Sequence, residues 1–114
     1  MLKKINYDKV AAKMTENVLN VYHEDIENWI REKMVATDVF NEIYDCLAPV
    51  EQAIYDTIVE VYPELTEEVK DLWQTNEEKY YEISDAIFHK YNDKLNEEYH
   101  KKYCYLLKYY GIYW

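Results

Sequence analysis

Apolar residues recur along this chain every three or four positions, the spacing that gathers them on one face of an α-helix. Tyr7, Val10, Ala11, Met14, Val18, Val21 and Tyr22 open the series, and Ile26, Trp29, Ile30 and Met34 continue it. The pattern predicts a first helical region from about Tyr7 to about Val35, with a bend near Tyr22 to Glu24. Thr37 or Asp38 then offers a side-chain oxygen of the kind that caps a helix start. The short helix that follows buries Val39, Phe40, Ile43, Tyr44 and Leu47. It must pause at Ala48, because the ring of Pro49 disfavours the α conformation in the residue before it. Pro49 suits the first turn of a third helix burying Val50, Ala53, Ile54, Thr57, Ile58 and Val61, which Pro63 ends or kinks. A short piece of helix from Thr66 turns Val69, Leu72 and Trp73 inward.

Thr75-Asn76-Glu77-Glu78 has the spacing of a capping box, so the last helix is expected to begin there. Its stripe of Tyr80, Ser84, Ile87, Phe88, Tyr91, Leu95, Tyr99, Leu106, Leu107 and Tyr110 keeps the helical period for about 35 residues, on the order of 50 Å. A compact domain of this size is roughly 30 Å across. Either Tyr91-Asn92-Asp93 interrupts the helix, or one end projects toward a partner. Gly111 stands where a left-handed residue closes a helix, with Ile112 placed to touch Leu107.

A single glycine and two prolines leave little chain-breaking chemistry, so the fold class is all-α. At 114 residues the chain fits one helical domain spanning 1–114, a bundle of about four to six helices with a long C-terminal helix. No run of apolar residues is long enough to span a bilayer. The start, Met1 to Asp8, lacks an apolar stretch of signal-peptide length, which leads us to expect a cytoplasmic protein without membrane attachment. Cys46 and Cys104 are far apart in sequence and are expected as two reduced, mostly buried thiols.

Catalytic and metal-binding patterns are thin, and neither an enzyme nor a cofactor or metal site is expected. Glu97-x-x-His100 has the spacing of a di-iron bundle ligand pair, but a second such pair is absent. His89 and His100 are about 16 Å apart along a helix, too far to share an ion. Ser84 is the only serine and has no visible base, and one glycine permits no phosphate-binding loop.

Charge is the stronger signal. Between Thr15 and Glu98 lie 22 acidic residues against six basic ones, while both ends are cationic, for a net charge of −10. Such a chain repels nucleic acid and attracts basic proteins. Glu51, Asp56, Glu60, Glu64, Glu67, Glu68 and Asp71 follow at intervals mostly of three to five, and Glu77, Glu78, Glu82 and Asp85 resume the series. Side chains three or four apart on a helix lie about 6 Å from each other, close to the phosphate spacing along a nucleic-acid strand. Like charges at these intervals destabilise a helix, which suggests a purpose other than stability. Fourteen tyrosines accompany the acids, and aromatic anchors turn electrostatic attraction into a specific interface.

In its short, acidic, Lys-, Asn- and Tyr-rich make-up with the single arginine Arg31, the chain is similar to small proteins of phages and mobile elements, including anti-CRISPR proteins that imitate DNA. The likeness is one of composition and carries over no functional residue. The expected function is a non-catalytic protein-binding inhibitor that occupies a basic, nucleic-acid-binding groove of a partner. Asp56, Glu60, Glu64, Glu67, Glu68 and Asp71 are the expected contact row, with Tyr62 and Trp73 as anchors. An antitoxin-like or regulatory subunit and a self-associating structural module are the alternatives. The aromatic tail, Tyr103, Tyr109, Tyr110, Tyr113 and Trp114, is the expected homodimer surface if it does not fold back.

Overall fold

The side chain of Asn6 accepts a hydrogen bond from the Lys9 amide at 3.2 Å and thereby starts the first helix, α1, Tyr7–Val21. The computed structural model describes residues 5–111, and every regular element among them is helical. The bend expected near Tyr22 is a break: α2, His23–Arg31, begins on the other side of that residue. It also ends earlier than the periodicity suggested. Lys33 takes the left-handed conformation (φ 64°), its amide donates to the Ile30 carbonyl at 2.9 Å, and the Met34 amide donates to the Trp29 carbonyl at 3.0 Å. Those two bonds are the Schellman closure, built here with lysine where glycine usually stands, so no breaker residue advertises it.

Helix α3, Ala36–Leu47, starts one or two residues before the expected caps: Val35 occupies the N-cap without a side-chain bond, and Thr37 and Asp38 fall inside the first turn. Ala48 is extended, as the following proline requires, and Pro49 is the N-cap of α4, Val50–Val61. A 3-10 turn, Pro63–Leu65, then leads into α5, Thr66–Thr75. The capping box does not form. Asn76 accepts from the Lys79 amide at 3.2 Å and starts α6, Glu77–Tyr109, while the Thr75 hydroxyl donates back to the Asp71 carbonyl at 2.7 Å within α5. Asparagine caps at least as well as threonine, and it stands at the break itself.

Helix α6 runs unbroken through Tyr91-Asn92-Asp93 for 33 residues, about 50 Å at 1.5 Å per residue. It does not overhang its neighbours: it has buried positions from Tyr80 to Leu107, and the described body is a rod of 48 × 21 × 20 Å. From Ile87 the buried positions step by four, through Tyr91, Leu95, Tyr99 and Tyr103 to Leu107. Four residues overshoot one helical turn by about 40°, so over these steps the buried stripe winds through about 200°. One straight helix can therefore present different faces to different neighbours. The first half packs on α4 and α5, where Trp73 lies flat on Tyr80 with ring centroids 4.5 Å apart. The second half packs on α1 and α2. Asp8 meets Lys90 at 3.2 Å and His23 meets Tyr103 at 2.7 Å, so α1 runs alongside in the same direction. Helix α3 reaches α6 through its rings, Tyr44 edge-on to Phe88 and Phe40 edge-on to Tyr99.

Gly111 takes φ 69° and its amide donates to the Lys108 carbonyl, as expected of the residue that closes α6. The proposed Ile112 contact lies outside the described residues. Among the described residues no helix is long and apolar enough to cross a membrane.

Candidate functional site

The expected contact row does not lie on one face. Glu64 sits in the 3-10 turn, so the series changes helix between Glu60 on α4 and Glu67 on α5. Glu60 is turned toward α1, accepting from Asn17 Nδ2 at 2.9 Å and pairing with Lys13 at 3.7 Å. Tyr62 faces the same way: its hydroxyl accepts from the Asn6 amide at 3.0 Å, and the Lys9 ammonium lies 5.4 Å from its ring centre. Asp56 accepts from Gln52, and Glu68 is half-buried, with Oε2 inaccessible and unbonded among the described residues. Trp73 is held between Tyr55 and Tyr80. Glu67 and Trp73 do meet, in a shallow hollow with Tyr55, Lys70 and Glu77, and Asp71 is exposed.

Glu77 borders a larger concavity on its other side. A groove of about 810 Å³ separates α3 and the start of α4 from the first three turns of α6. Five carboxylates line it, from Glu51, Glu77, Glu78, Glu82 and Asp85, with no lysine or arginine among the lining residues. Glu82 and Asp85 have cationic or titratable neighbours, Lys79 at 3.5 Å and His89 at 3.4 Å, whereas Glu51, Glu77 and Glu78 form no ion pair among the described residues. Tyr44 from α3 and Tyr81 from α6 stand on the two sides, 48% and 44% exposed, with Phe88 between the helices. Ile54 and Ser84 form the buried floor. Ser84 is 4% exposed, and its hydroxyl makes no hydrogen bond among the described residues and stays open to the groove rather than sealed from solvent.

Local sequence explains the geometry. Adjacent residues on a helix point about 100° apart, so of the doublet Tyr80-Tyr81 one ring must face outward when the other is buried. Tyr80 goes inward, and its hydroxyl donates to the Glu51 carbonyl at 2.7 Å, which ties the start of α4 to α6 and fixes one side of the groove. Burial, with Glu51 and Asp56 nearby, pushes the Tyr80 phenol well above its usual range. Glu78, Tyr81, Glu82, Asp85 and Phe88 then share a face through steps of three and four.

Comparison with known families, with curated proteins and with solved structures returned no match.

Other chemistry is placed less openly. Glu27, His23 and Tyr103 form a chain of hydrogen bonds, with His23 Nε2 2.8 Å from Glu27 and Nδ1 2.7 Å from the Tyr103 hydroxyl. The connectivity resembles a catalytic relay, but Tyr103 is 1% exposed and cannot meet a substrate. Its ring is part of the monomer core, so it is not free for the dimer surface expected of it. Tyr110 is half-buried against the same core, Tyr109 is 81% exposed and Tyr105 64% exposed, and Tyr113 and Trp114 lie outside the described residues. Glu97 is held below the usual carboxylate range by its 2.9 Å bond to Lys101 rather than being paired with His100, whose Nδ1 lies 2.7 Å from the Asn96 carbonyl. Both cysteines are free, but Cys46 is exposed and Cys104 half-buried, against the expectation of buried thiols. Cys46 lies on the side of α3 that carries Val39 and Ile43, but in the last turn of the helix, and is exposed there.

Proposed function

We propose that this chain is a non-catalytic binding protein that engages the basic surface of another protein, and that it inhibits a nucleic-acid-binding partner by occupying the surface its nucleic acid would use. The observation that carries this reading is the uncompensated charge of the groove: Glu51, Glu77 and Glu78 form no ion pair among the described residues and stand beside two exposed tyrosine rings. Carboxylates left unpaired in a concave surface focus a negative potential on what enters it, and exposed rings supply the anchoring area that charge alone lacks. The test is a titration against nucleic-acid-binding proteins recovered from a bacterial lysate on the immobilised chain, at two ionic strengths and with competing duplex DNA. Binding should weaken steeply with salt, and DNA and the chain should exclude one another. Salt-independent binding, or simultaneous binding with DNA, would reject the reading.

A self-associating module is the second reading, favoured by the neighbouring exposed rings of Tyr105 and Tyr109 at the far end of the rod. Light scattering on the same samples decides it: a 14.0 kDa particle is the monomer.

A further inference from the structure

Resting on the reading of the acidic face as a protein-binding surface, we propose that the groove between α3, α4 and α6 receives an arginine-bearing segment of the partner, with guanidinium groups laid against Tyr44 and Tyr81 and bonded to the carboxylates around them. Three observations select this occupant. The first is charge, since among the described residues the lining carries five carboxylates and no lysine or arginine.

The second is the mixture of rings and carboxylates. A guanidinium is planar, weakly hydrated and able to stack on a ring while its N–H groups bond a carboxylate in a fork, whereas an ammonium keeps its water and acts as a point charge. Carboxylates alone would take either cation. Tyr81 stands between Glu78 and Glu82 in the run of groove residues on α6, and Tyr44 faces this flank from α3. The third is Ser84, a buried floor residue whose hydroxyl has no hydrogen bond among the described residues, opens onto the groove and can accept an N–H from a guanidinium or a peptide amide.

Shape sets the length. From Glu77 to Phe88 the groove follows α6 for about 16 Å, which about five residues of extended chain would fill. The occupant is not another copy of this chain. Arg31 is the only arginine here, and it is engaged on α2 with Glu27 at 3.8 Å and Asn28 at 3.4 Å.

The experiment uses a fluorescein-labelled pentapeptide of alternating arginine and alanine, with lysine and citrulline versions of the same peptide, titrated into the full chain by fluorescence anisotropy. The arginine peptide should bind one to one, the lysine peptide about tenfold more weakly, and the uncharged citrulline peptide not measurably. Tyr81→Ala and Tyr44→Ala should each weaken arginine-peptide binding about tenfold while leaving the lysine peptide nearly unchanged, and Ser84→Ala should weaken it a few-fold. Circular dichroism establishes that each variant is folded, and Tyr44 and Tyr81 are exposed enough that their loss leaves the core intact. Glu64→Gln, outside the groove, is the control. Equal affinity for the arginine and lysine peptides, or unchanged affinity in both tyrosine variants, would overturn the arginine site. The broader reading would stand in that case as long as the captured partner still competes with DNA. Absence of any peptide binding overturns the site as well, and loss of the DNA competition alone overturns the broader reading.

Discussion

The two halves of α6 are built from the same kinds of residue and use them in opposite ways. Between Tyr91 and Leu107 the helix lies against α1, whose small or branched side chains Val10, Ala11 and Val18 permit close approach, and Tyr91, Tyr99 and Tyr103 become core. Between Glu77 and Phe88 one flank is closed by α4 and α5, and the other, facing α3, stays open as the acidic groove. The difference lies in the neighbours rather than in composition. Tyrosine abundance by itself does not mark an interface. A phenol whose hydroxyl is answered, by His23 for Tyr103 or by the Glu51 carbonyl for Tyr80, serves as a large core residue.

The sharpest way to break this contrast is to truncate one tyrosine from each half. Tyr103→Ala removes a fully buried ring and is expected to cost about 3–5 kcal/mol, a large share of a small domain's stability. Tyr81→Ala should stay within about 0.5 kcal/mol. Within the buried half a finer cut is available. Tyr103→Phe loses only the bond to His23 and should cost about 1 kcal/mol, whereas Tyr99→Phe removes a buried hydroxyl with no partner among the described residues and should be neutral or stabilising. Urea melts measure all four, and equal costs for Tyr103→Ala and Tyr81→Ala would erase the distinction.

Alkali should attack the same buried set. Burial pushes Tyr99 up to about 12, and burial together with the Glu27 carboxylate does the same for Tyr103. Tyr80 and Tyr91 are raised further, again chiefly by burial. In the unfolded chain a phenol ionises near 10.0. Because the folded values lie higher, the stabilisation is complete below about pH 10 and is lost as pH rises toward and beyond 12, where only the unfolded chain readily gives up its protons. For Tyr99 and Tyr103 the contribution is on the order of 2–3 kcal/mol each over that window. Thermal melts should therefore be level from pH 8 to 9 and fall steeply above 10, with tyrosinate absorbance appearing together with unfolding. Phenols that titrate gradually in a chain that stays folded would contradict the packing of the second half.

Periodicity made the helices legible, and proline made two boundaries legible, since Ala48 and Pro63 leave little choice of backbone. What the chain hid was of two kinds. Lys33 closes α2 in a conformation that glycine normally signals, so the first helical region read four residues too long. The long stripe of α6 gave its length but not its winding, because steps of four look like ordinary helix positions until they are summed around the axis. The acidic row failed as a single face for a different reason: spacing fixes neighbours within one helix and says nothing across the Pro63–Leu65 turn, where the chain leaves α4 and enters α5. The groove had one readable sign, the Tyr80-Tyr81 doublet followed by Glu82 and Asp85, but its opposite side comes from α3 and α4, which only tertiary packing brings there.

The smallest effect tests how the open half is held at its start. Asn76 supplies the bond that satisfies the Lys79 amide, so Asn76→Ala should cost about 1 kcal/mol. Thr75 has the sequence position of a capping-box residue, yet its hydroxyl turns back to the Asp71 carbonyl in α5, and Thr75→Ala should change stability by no more than a few tenths of a kcal/mol. Hydrogen exchange locates the loss. In Asn76→Ala the amides at the first turn of α6 should exchange faster while those between Tyr91 and Leu107 keep their protection, because α1 covers them and the missing bond is local. The loosened turn carries Glu77 and Glu78, so the arginine peptide should also bind a few-fold more weakly to this variant. If Thr75→Ala proved the costlier change, the capping box would operate after all, and the groove would begin one residue earlier than Asn76 places it.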